Sequence, residues 1–500
     1  MTTDVTVSRR RILLISPHKI TMSGYEELAP PLGLAYIGAV LERANYSVSI
    51  IDVAAEGFHA RKKLIGGCVR IGLGYNEIER KIRQFSPHIV GVSCLMSSQF
   101  EDTMKICRLV KKIDSAISTV VGGEHPSATP RESLDDPAVD FVVIGEGEYT
   151  MRELVAAIAN NGGYSAIDGL AYRQSGQVII NPKTRFISNL DELPPPARHL
   201  LPMQIYFKEN TPQSGTSLRS PNTSMITSRG CTARCVFCAT SRFWGNRFRP
   251  RSVSSVLDEM EQLVTEYGIR EIQFIDDNLT LDKKRALQLF EGMIARGLNL
   301  TWNTPQGIAA WSLDEKVLTA MKRSGCYEIT LAIESGVQRV LTEIIHKPLR
   351  LEIVPPLVQT AKRLGILTKA YFVVGFPGES LNDIRATLEF ARRLQLDAAG
   401  IFIATPLPGT DLYRQCKECG YLAKDFSYTH INYSNGNILT PEFNPTEVER
   451  LVSQYLLRIN IGLLLRSPSR FFKKYGGLLR RKPKALLAYV YFQLKSLITG

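Results

Sequence analysis

The 500-residue chain has no apolar stretch that reads as a membrane span. Such a helix needs about 18 apolar residues with few charges. The longest candidates, around Ile461–Leu465 and Ala485–Leu494, are shorter and are flanked by Arg and Lys. A signal-peptide core is also lacking. Arg9, Arg10 and Arg11 precede only Ile12–Ile15 before Ser16 and Pro17, a pattern that reads as a first strand. Nine cysteines, an odd number in so long a chain, do not make a disulfide scaffold. A reducing cytoplasm is the expected setting, with membrane association left open by the tail described below. Tandem repeats and low-complexity tracts are absent. Acidic residues are missing from Leu451–Gly500, which hold ten Lys/Arg. The net charge of +13 is therefore mostly a property of a tail, because the first 450 residues carry 51 basic against 48 acidic side chains.

What is present suits two or three folded domains with sizeable cores. The composition, 44% hydrophobic and 22% charged, excludes a disordered chain. Over residues 1–160 apolar runs alternate with helical patterns. Strands are expected at Ile12–Ser16, Val48–Asp52, Ile89–Cys94, Thr119–Val121 and Phe141–Ile144, with helices such as Leu32–Arg43, Glu101–Lys112 and Thr150–Asn160. This is the pattern of an α/β domain with a doubly wound parallel sheet, which binds ligands at the carboxyl ends of its strands. Residues 161–222 read as a linker with a hairpin across Ser175-Gly176 and a Pro194-Pro195-Pro196 run. Strands resume at Ser224–Thr227, Glu271–Ile275, Leu300–Asn303, Glu328–Ile333, Lys369–Val374 and Gly400–Ala404. A helix from Val253 stops at Gly268. Six strand–helix repeats predict a partial (β/α)6 barrel over 223–440, with its chemistry at the strand C-termini. A basic amphipathic helical extension is expected over 441–500.

The strongest chemical signal is Cys231-Thr-Ala-Arg-Cys235-Val-Phe-Cys238, in a loop after the first barrel strand. Thiolates bind soft metal centres, and close spacing in a loop lets them converge. Three thiolates can hold three irons of a [4Fe–4S] cluster and leave the fourth iron open. An electron-transfer cluster or a structural zinc would take a fourth ligand, and the next cysteine is as far away as Cys326.

This C-x3-C-x-Φ-C string, with Phe237 before the last cysteine, resembles the hallmark of the radical S-adenosylmethionine (SAM) superfamily. The resemblance implies that Cys231, Cys235 and Cys238 carry the cluster. It also implies that the open iron chelates SAM, which the reduced cluster cleaves to a 5′-deoxyadenosyl radical. An electron donor such as flavodoxin or ferredoxin would be a partner. Later strings resemble the family's SAM contacts. Ile333-Glu334-Ser335-Gly336 ends the fourth barrel strand, Gly375-Phe-Pro-Gly378-Glu379 follows the fifth and Pro406-Leu-Pro408-Gly409-Thr410 the sixth. After the second strand the family often has Gly-Gly-Glu, whereas this chain has Asp276-Asp277-Asn278. A carboxylate there could pair with the SAM ammonium, or the group could cap a helix. Phe237, Asp277, Glu334, Ser335 and Gly375 are the expected SAM contacts. The residue that accepts a proton is not indicated.

A doubly wound domain ahead of such a barrel resembles the cobalamin-binding branch. The resembling stretches are Pro31–Gly38 with Ile51-Asp52, Gly122-Gly123-Glu124-His125-Pro126, and Gly145-Glu146-Gly147-Glu148. Gly122, Gly123, His125, Gly145 and Glu146 are therefore the expected cobalamin-side residues. The D-x-H-x-x-G string that supplies an axial histidine in cobalamin mutases is absent, since Asp52-Val-Ala-Ala-Glu-Gly57 has Ala54 in the histidine's place. Cobalamin bound without that ligand is expected, although His18 and His125 lie at strand ends. A methylthiotransferase would hold a second cluster on three N-terminal cysteines. Cys68, Cys94 and Cys107 are present but read as buried apolar side chains.

The resemblance implies a C-methyltransferase acting on an unactivated carbon of a small molecule. The alternatives are an oxidative cyclase or ring-rearranging enzyme, or a non-catalytic cobalamin-binding protein. In the tail, Arg470, Lys473, Lys474, Arg480, Arg481, Lys482 and Lys484 alternate with Phe471-Phe472, Tyr475 and Leu478-Leu479. That pattern suits a cover over the barrel or a membrane surface more than nucleic acid, and it points to a lipid or tetrapyrrole substrate.

Overall fold

The computed structural model describes residues 10–469 except 23–26, 65–67, 161, 216, 424–425 and 428–435. The chain divides into two units, Met1–Met22 with Pro30–Lys208, and Ser23–Ala29 with Glu209–Gly500.

The sheet of the first unit has seven strands: β1 (Arg11–Ser16), β2 (Ser47–Asp52), β3 (Ile89–Ser93), β4 (Ser118–Gly122), β5 (Phe141–Val143), β6 (Leu170–Gln174) and β7 (Gln177–Ile180). Their order is β7-β6-β5-β4-β3-β1-β2. β1 to β5 are parallel, and β6 and β7 are antiparallel additions. Ile12–Ile15 of β1 are fully buried, as a continuous apolar run requires when both sheet faces are covered. The order reverses at β1, which has β2 on one side and β3 on the other. In such sheets the crevice outside the β1 and β3 carboxyl ends is where ligands bind.

The hairpin that the sequence assigns to a linker instead completes this sheet. β6 pairs with β5, and Ser175 and Gly176 have φ of 50° and 77°. Two left-handed residues are what a tight two-residue hairpin needs. The first unit thus runs on to Lys208, past the expected edge at residue 160. A small antiparallel sheet of Lys19–Met22, Arg61–Lys63 and Cys68–Ile71, with no clear sequence signal, lies within it.

The second unit has six parallel strands in sequential order: β8 (Asn222–Met225), β9 (Glu271–Phe274), β10 (Thr301–Ile308), β11 (Cys326–Glu334), β12 (Leu367–Val374) and β13 (Ala398–Ile403). A helix follows each of the first five on the way to the next, the partial barrel expected from the alternation. The helix Val253–Tyr267 stops on left-handed Gly268, as its sequence predicts. Its N-cap is Ser252, which accepts from the Ser255 N–H.

A helix at Pro445–Arg466 buries Val448, Leu451, Val452, Ile459 and Leu463 against the helix Leu381–Arg393 and β13. This stretch of the extension is a packed cover. The basic residues from Arg470 onward lie outside the described residues. Among the described residues no helix is long and apolar enough to cross a membrane.

Candidate active site

Cys231, Cys235 and Cys238 form no disulfide, and each is half-buried. Their loop begins at Gly230, whose φ is +83° and where a Cβ would collide with the Arg247 carbonyl oxygen. Only glycine suits both constraints. Inside the loop the Val236 N–H donates to the Ile345 carbonyl at 3.1 Å, and the Val236 carbonyl accepts from Leu412 at 2.9 Å. A turn bond from the Cys238 N–H to the Cys235 carbonyl, 3.0 Å, folds the last two cysteines together. The Phe237 ring lies 5.8 Å from that of buried Phe376, in the Gly375–Glu379 loop.

The two aspartates after β9 hold this loop. Asp277 Oδ2 accepts from the Gly230 N–H at 2.8 Å and Oδ1 from Thr240 Oγ at 3.1 Å, so one carboxylate ties both ends of the cysteine segment. Asp276 accepts from Thr227 and Ser228. Burial pushes the pKa of both acids up, against the pull of these donors. Neither caps the next helix, whose N-cap is Asp282. The capping alternative for Asp276-Asp277-Asn278 is thereby corrected.

Among the described residues no three His, Cys, Asp or Glu side chains form a site for a metal ion. Three thiolates on one loop are the donor set of a four-iron cluster with an open iron. Burial drives the Cys235 thiol up to about 12, and the Lys347 ammonium acts against that.

Glu334 ends β11 with φ of +70°, a left-handed conformation uncommon outside glycine. Its Oε1 accepts from Lys347 Nζ at 3.2 Å, with both side chains buried. Lys347 also stands 5.2 Å from the Trp311 ring centroid. Burial alone would favour loss of its proton, but Glu334 and Cys235 outweigh it and hold the pKa above the ordinary lysine value. Nothing in the local pattern marks Lys347, which the fold returns to Glu334 through a π-helical turn at Val340–Ile345 and a left-handed His346. Ser335 shares a hydrogen bond with Thr387 at 3.0 Å, and at Gly336 a Cβ would come 2.5 Å from Phe390. Gly375, at φ +87°, donates its N–H to Glu379 Oε2 at 2.7 Å, and Phe376 does the same at 3.1 Å.

At the strand ends of the first unit, Leu95 and Met96 are exposed by 55% and 41%, directly after β3 at the switch point. These two exposed apolar side chains stand at the end of the sheet where ligands of doubly wound folds bind. Several expected residues turn inward instead. Glu146 is buried and accepts from the Ile187 N–H at 2.8 Å, because the hairpin brings that backbone beside it. Gly123 is needed by the fold, since a Cβ would come 2.6 Å from the Cys94 carbonyl. Gly122 has ordinary room, and Gly145, at φ +70°, donates to Ser127 Oγ at 2.9 Å. His125 places Nδ1 3.0 Å from Ser97 Oγ and Nε2 3.3 Å from Thr129 Oγ. His18 is bonded through Nε2 to the Leu73 carbonyl at 2.8 Å, with Nδ1 3.9 Å from Asp102. Both rings are buried. Cys94 and Cys107 are buried and Cys68 is half-buried on the small sheet.

A doubly wound sheet with a switch point and a partial barrel with a three-cysteine loop define the class: a corrin-type domain joined to a cluster-dependent SAM barrel. The sequence matches the B12 binding domain over residues 19–155 and the radical SAM superfamily over 225–391. It is 35% identical to cytidylyl-2-hydroxyethylphosphonate methyltransferase of Streptomyces wedmorensis, covering 89% of each chain. It is 27% identical to the anaerobic magnesium-protoporphyrin IX monomethyl ester cyclase of Rubrivivax gelatinosus, covering 88% of this chain and 74% of the relative. The fold matches that of TsrM from Kitasatospora setae, a radical SAM methyltransferase solved with tryptophan and a SAM analogue. The TM-score is 0.68 at 18% identity, over 90% of this chain and 89% of that one. The chain belongs to the cobalamin-dependent radical SAM methyltransferases, whose cofactors are a [4Fe–4S] cluster, SAM and cobalamin.

Proposed function

We propose that this enzyme transfers a methyl group to an unactivated carbon of a small molecule. The observation that carries the reading is the braced loop of three cysteines outside any disulfide, with a buried lysine–carboxylate pair beside it. Cys231, Cys235 and Cys238 are assigned to the cluster. Glu334 and Lys347 offer one negative and one positive group to the amino and carboxylate ends of SAM. The Phe237 and Gly375–Glu379 side of the pocket is assigned to the adenosyl group. Asp277 is a positioning residue that fixes the span of the loop. When bound, the cluster supplies the electron that cleaves SAM, and cobalamin carries the methyl group. The protein's share is to hold these groups in place and keep water out.

The exposed Leu95-Met96 pair is assigned to the corrin face. A one-electron donor such as flavodoxin or ferredoxin is the proposed redox partner. Residues 10–208 are proposed as the cobalamin domain and 209–440 as the SAM barrel. Contact of the basic tail with an anionic membrane surface remains part of the proposal.

The Streptomyces relative is named for a nucleotide-linked phosphonate and the Rubrivivax relative for a tetrapyrrole. The test between methyl transfer and cyclisation is the ratio of SAM products under anaerobic turnover. Methyl transfer gives S-adenosylhomocysteine and 5′-deoxyadenosine in about equal amounts, since two SAM molecules serve different steps. Substrate-dependent deoxyadenosine with no S-adenosylhomocysteine above the no-substrate control would refute it and promote the cyclase reading.

A further inference from the structure

The interior of a (β/α) barrel is ordinarily filled by branched apolar side chains. Here one row across four adjacent strands is polar. Ser224 on β8 is level with Gln273 on β9, Gln273 with Asn303 on β10, and Asn303 with Glu328 on β11. One step along, Thr330 on β11 is level with Lys369 on β12. The direction of these side chains follows from their neighbours. Phe274 and Trp302 pack outward on Phe290 of the helix Lys283–Ala295, with the Phe290 and Trp302 rings 5.1 Å apart. Gln273 and Asn303, next to them in sequence, therefore face the opposite side. Thr330 lies four residues before Glu334 on the same strand, with a bulge between Ala332 and Glu334, and Glu334 meets Lys347 near the cysteine loop.

Three atoms of this belt are buried with no hydrogen-bond partner: Gln273 Oε1, Asn303 Oδ1 and Thr330 Oγ. The side chains of Gln273, Asn303 and Thr330 are exposed by no more than 1%. The orientation of Asn303 is fixed by its other end. Tyr327 gives its hydroxyl proton to Glu271 at 2.9 Å, so Asn303 Nδ2 must donate to Tyr327 and Oδ1 is left as an acceptor. Gln273 Nε2 is used by Ser214 Oγ at 3.1 Å. Buried acceptors without donors are costly and uncommon. An apolar layer would fill the same space at lower cost.

We infer that this belt is the floor of the substrate cavity and takes an end of the substrate carrying hydroxyl, amine or amide donors. The inference rests on the methyl-transfer reading and narrows its substrate class. It argues against a purely hydrocarbon lipid, the direction in which the basic, apolar tail points.

The test uses the full chain loaded with cluster and cobalamin. Without substrate, Thr330→Val removes an orphaned hydroxyl and should raise Tm by about 2 °C. Gln273→Met serves as a second variant with the same expected sign. The binding probes are cytidylyl-2-hydroxyethylphosphonate, which is rich in donors, and magnesium-protoporphyrin IX monomethyl ester, which is not. The first should bind, and Thr330→Val should weaken it about tenfold, the worth of one lost hydrogen bond. A fall in Tm in both variants means the atoms are already satisfied, by water or by the fold, and overturns the inference. Binding of the tetrapyrrole alone, or of neither probe, also overturns it. S-adenosylhomocysteine formed by the unaltered enzyme with a cell extract as substrate source, above the no-substrate control, reports the methyl-transfer reading separately, so the two failures are distinguishable.

Discussion

Lys347 donates to Glu334 across 3.2 Å where both side chains are buried, at the end of β11. A buried pair of this kind gives little net stability, but removing one partner strands a charge. Lys347→Met should therefore destabilise the second unit by about 3 kcal/mol. Adding Glu334→Gln should restore most of that loss while leaving SAM affinity low. Urea unfolding and SAM titration of the single and double variants check this. Recovery of SAM binding along with stability would make the pair structural only.

Asp277 acts on the cluster at one remove. It ties Gly230, just before Cys231, to Thr240, just after Cys238. Asp277→Ala frees both ends, and anaerobic reconstitution should yield well under the about four irons expected for one cluster. Asp277→Asn keeps one acceptor oxygen for the Gly230 N–H and should load more iron than the alanine variant. Equal iron in all three proteins would show that the brace does not matter for assembly.

The parts of this architecture legible in the sequence are those set by local pattern. Ile12–Ile15 read as a strand because burial on both faces demands an unbroken apolar run. The three cysteines read as a cluster loop because their spacing is itself the chemistry. The contacts that escaped detection are long-range. Lys347 meets Glu334 only through the particular turn that ends at left-handed His346. Glu146 turns inward only because the hairpin at Ser175-Gly176 joins the sheet and carries Ile187 beside it. The polar belt needs strand register, which alternation alone does not supply.

The two strand-end histidines of the first unit are both buried but differ in their partners. His125 is engaged at both ring nitrogens by Ser97 and Thr129, whereas His18 is held through Nε2 by the Leu73 carbonyl and its Nδ1 has no hydrogen-bond partner. The cob(II)alamin form of the enzyme should give an electron paramagnetic resonance spectrum without nitrogen superhyperfine splitting from an axial base. His18→Ala and His125→Ala should leave that feature unchanged. A splitting that vanishes in either variant would identify that histidine as a ligand.

Two buried groups of the first unit should give stability opposite pH slopes. Asp52 is pushed up from 3.8 to about 6 by burial, despite accepting from Tyr206 at 2.6 Å and from the Ala54 and Ala55 N–H groups. Its proton is held more tightly folded than unfolded, so stability falls as pH rises from about 4 to about 6. His125 is driven down from 6.5 to about 4 by burial. The unfolded chain takes up its proton first, so stability falls as pH drops through the same window. Each effect is about 3 kcal/mol, and in the unaltered protein they largely cancel. Asp52→Asn should leave the histidine's slope alone, with stability rising between pH 4 and 6.5 relative to the unaltered chain. His125→Gln should leave the aspartate's slope, with stability falling over that range. Denaturant unfolding of the three full-length chains at half-unit pH steps measures both, and the difference from the unaltered chain removes every other titrating group. Parallel curves for all three would mean that neither group titrates abnormally in the fold.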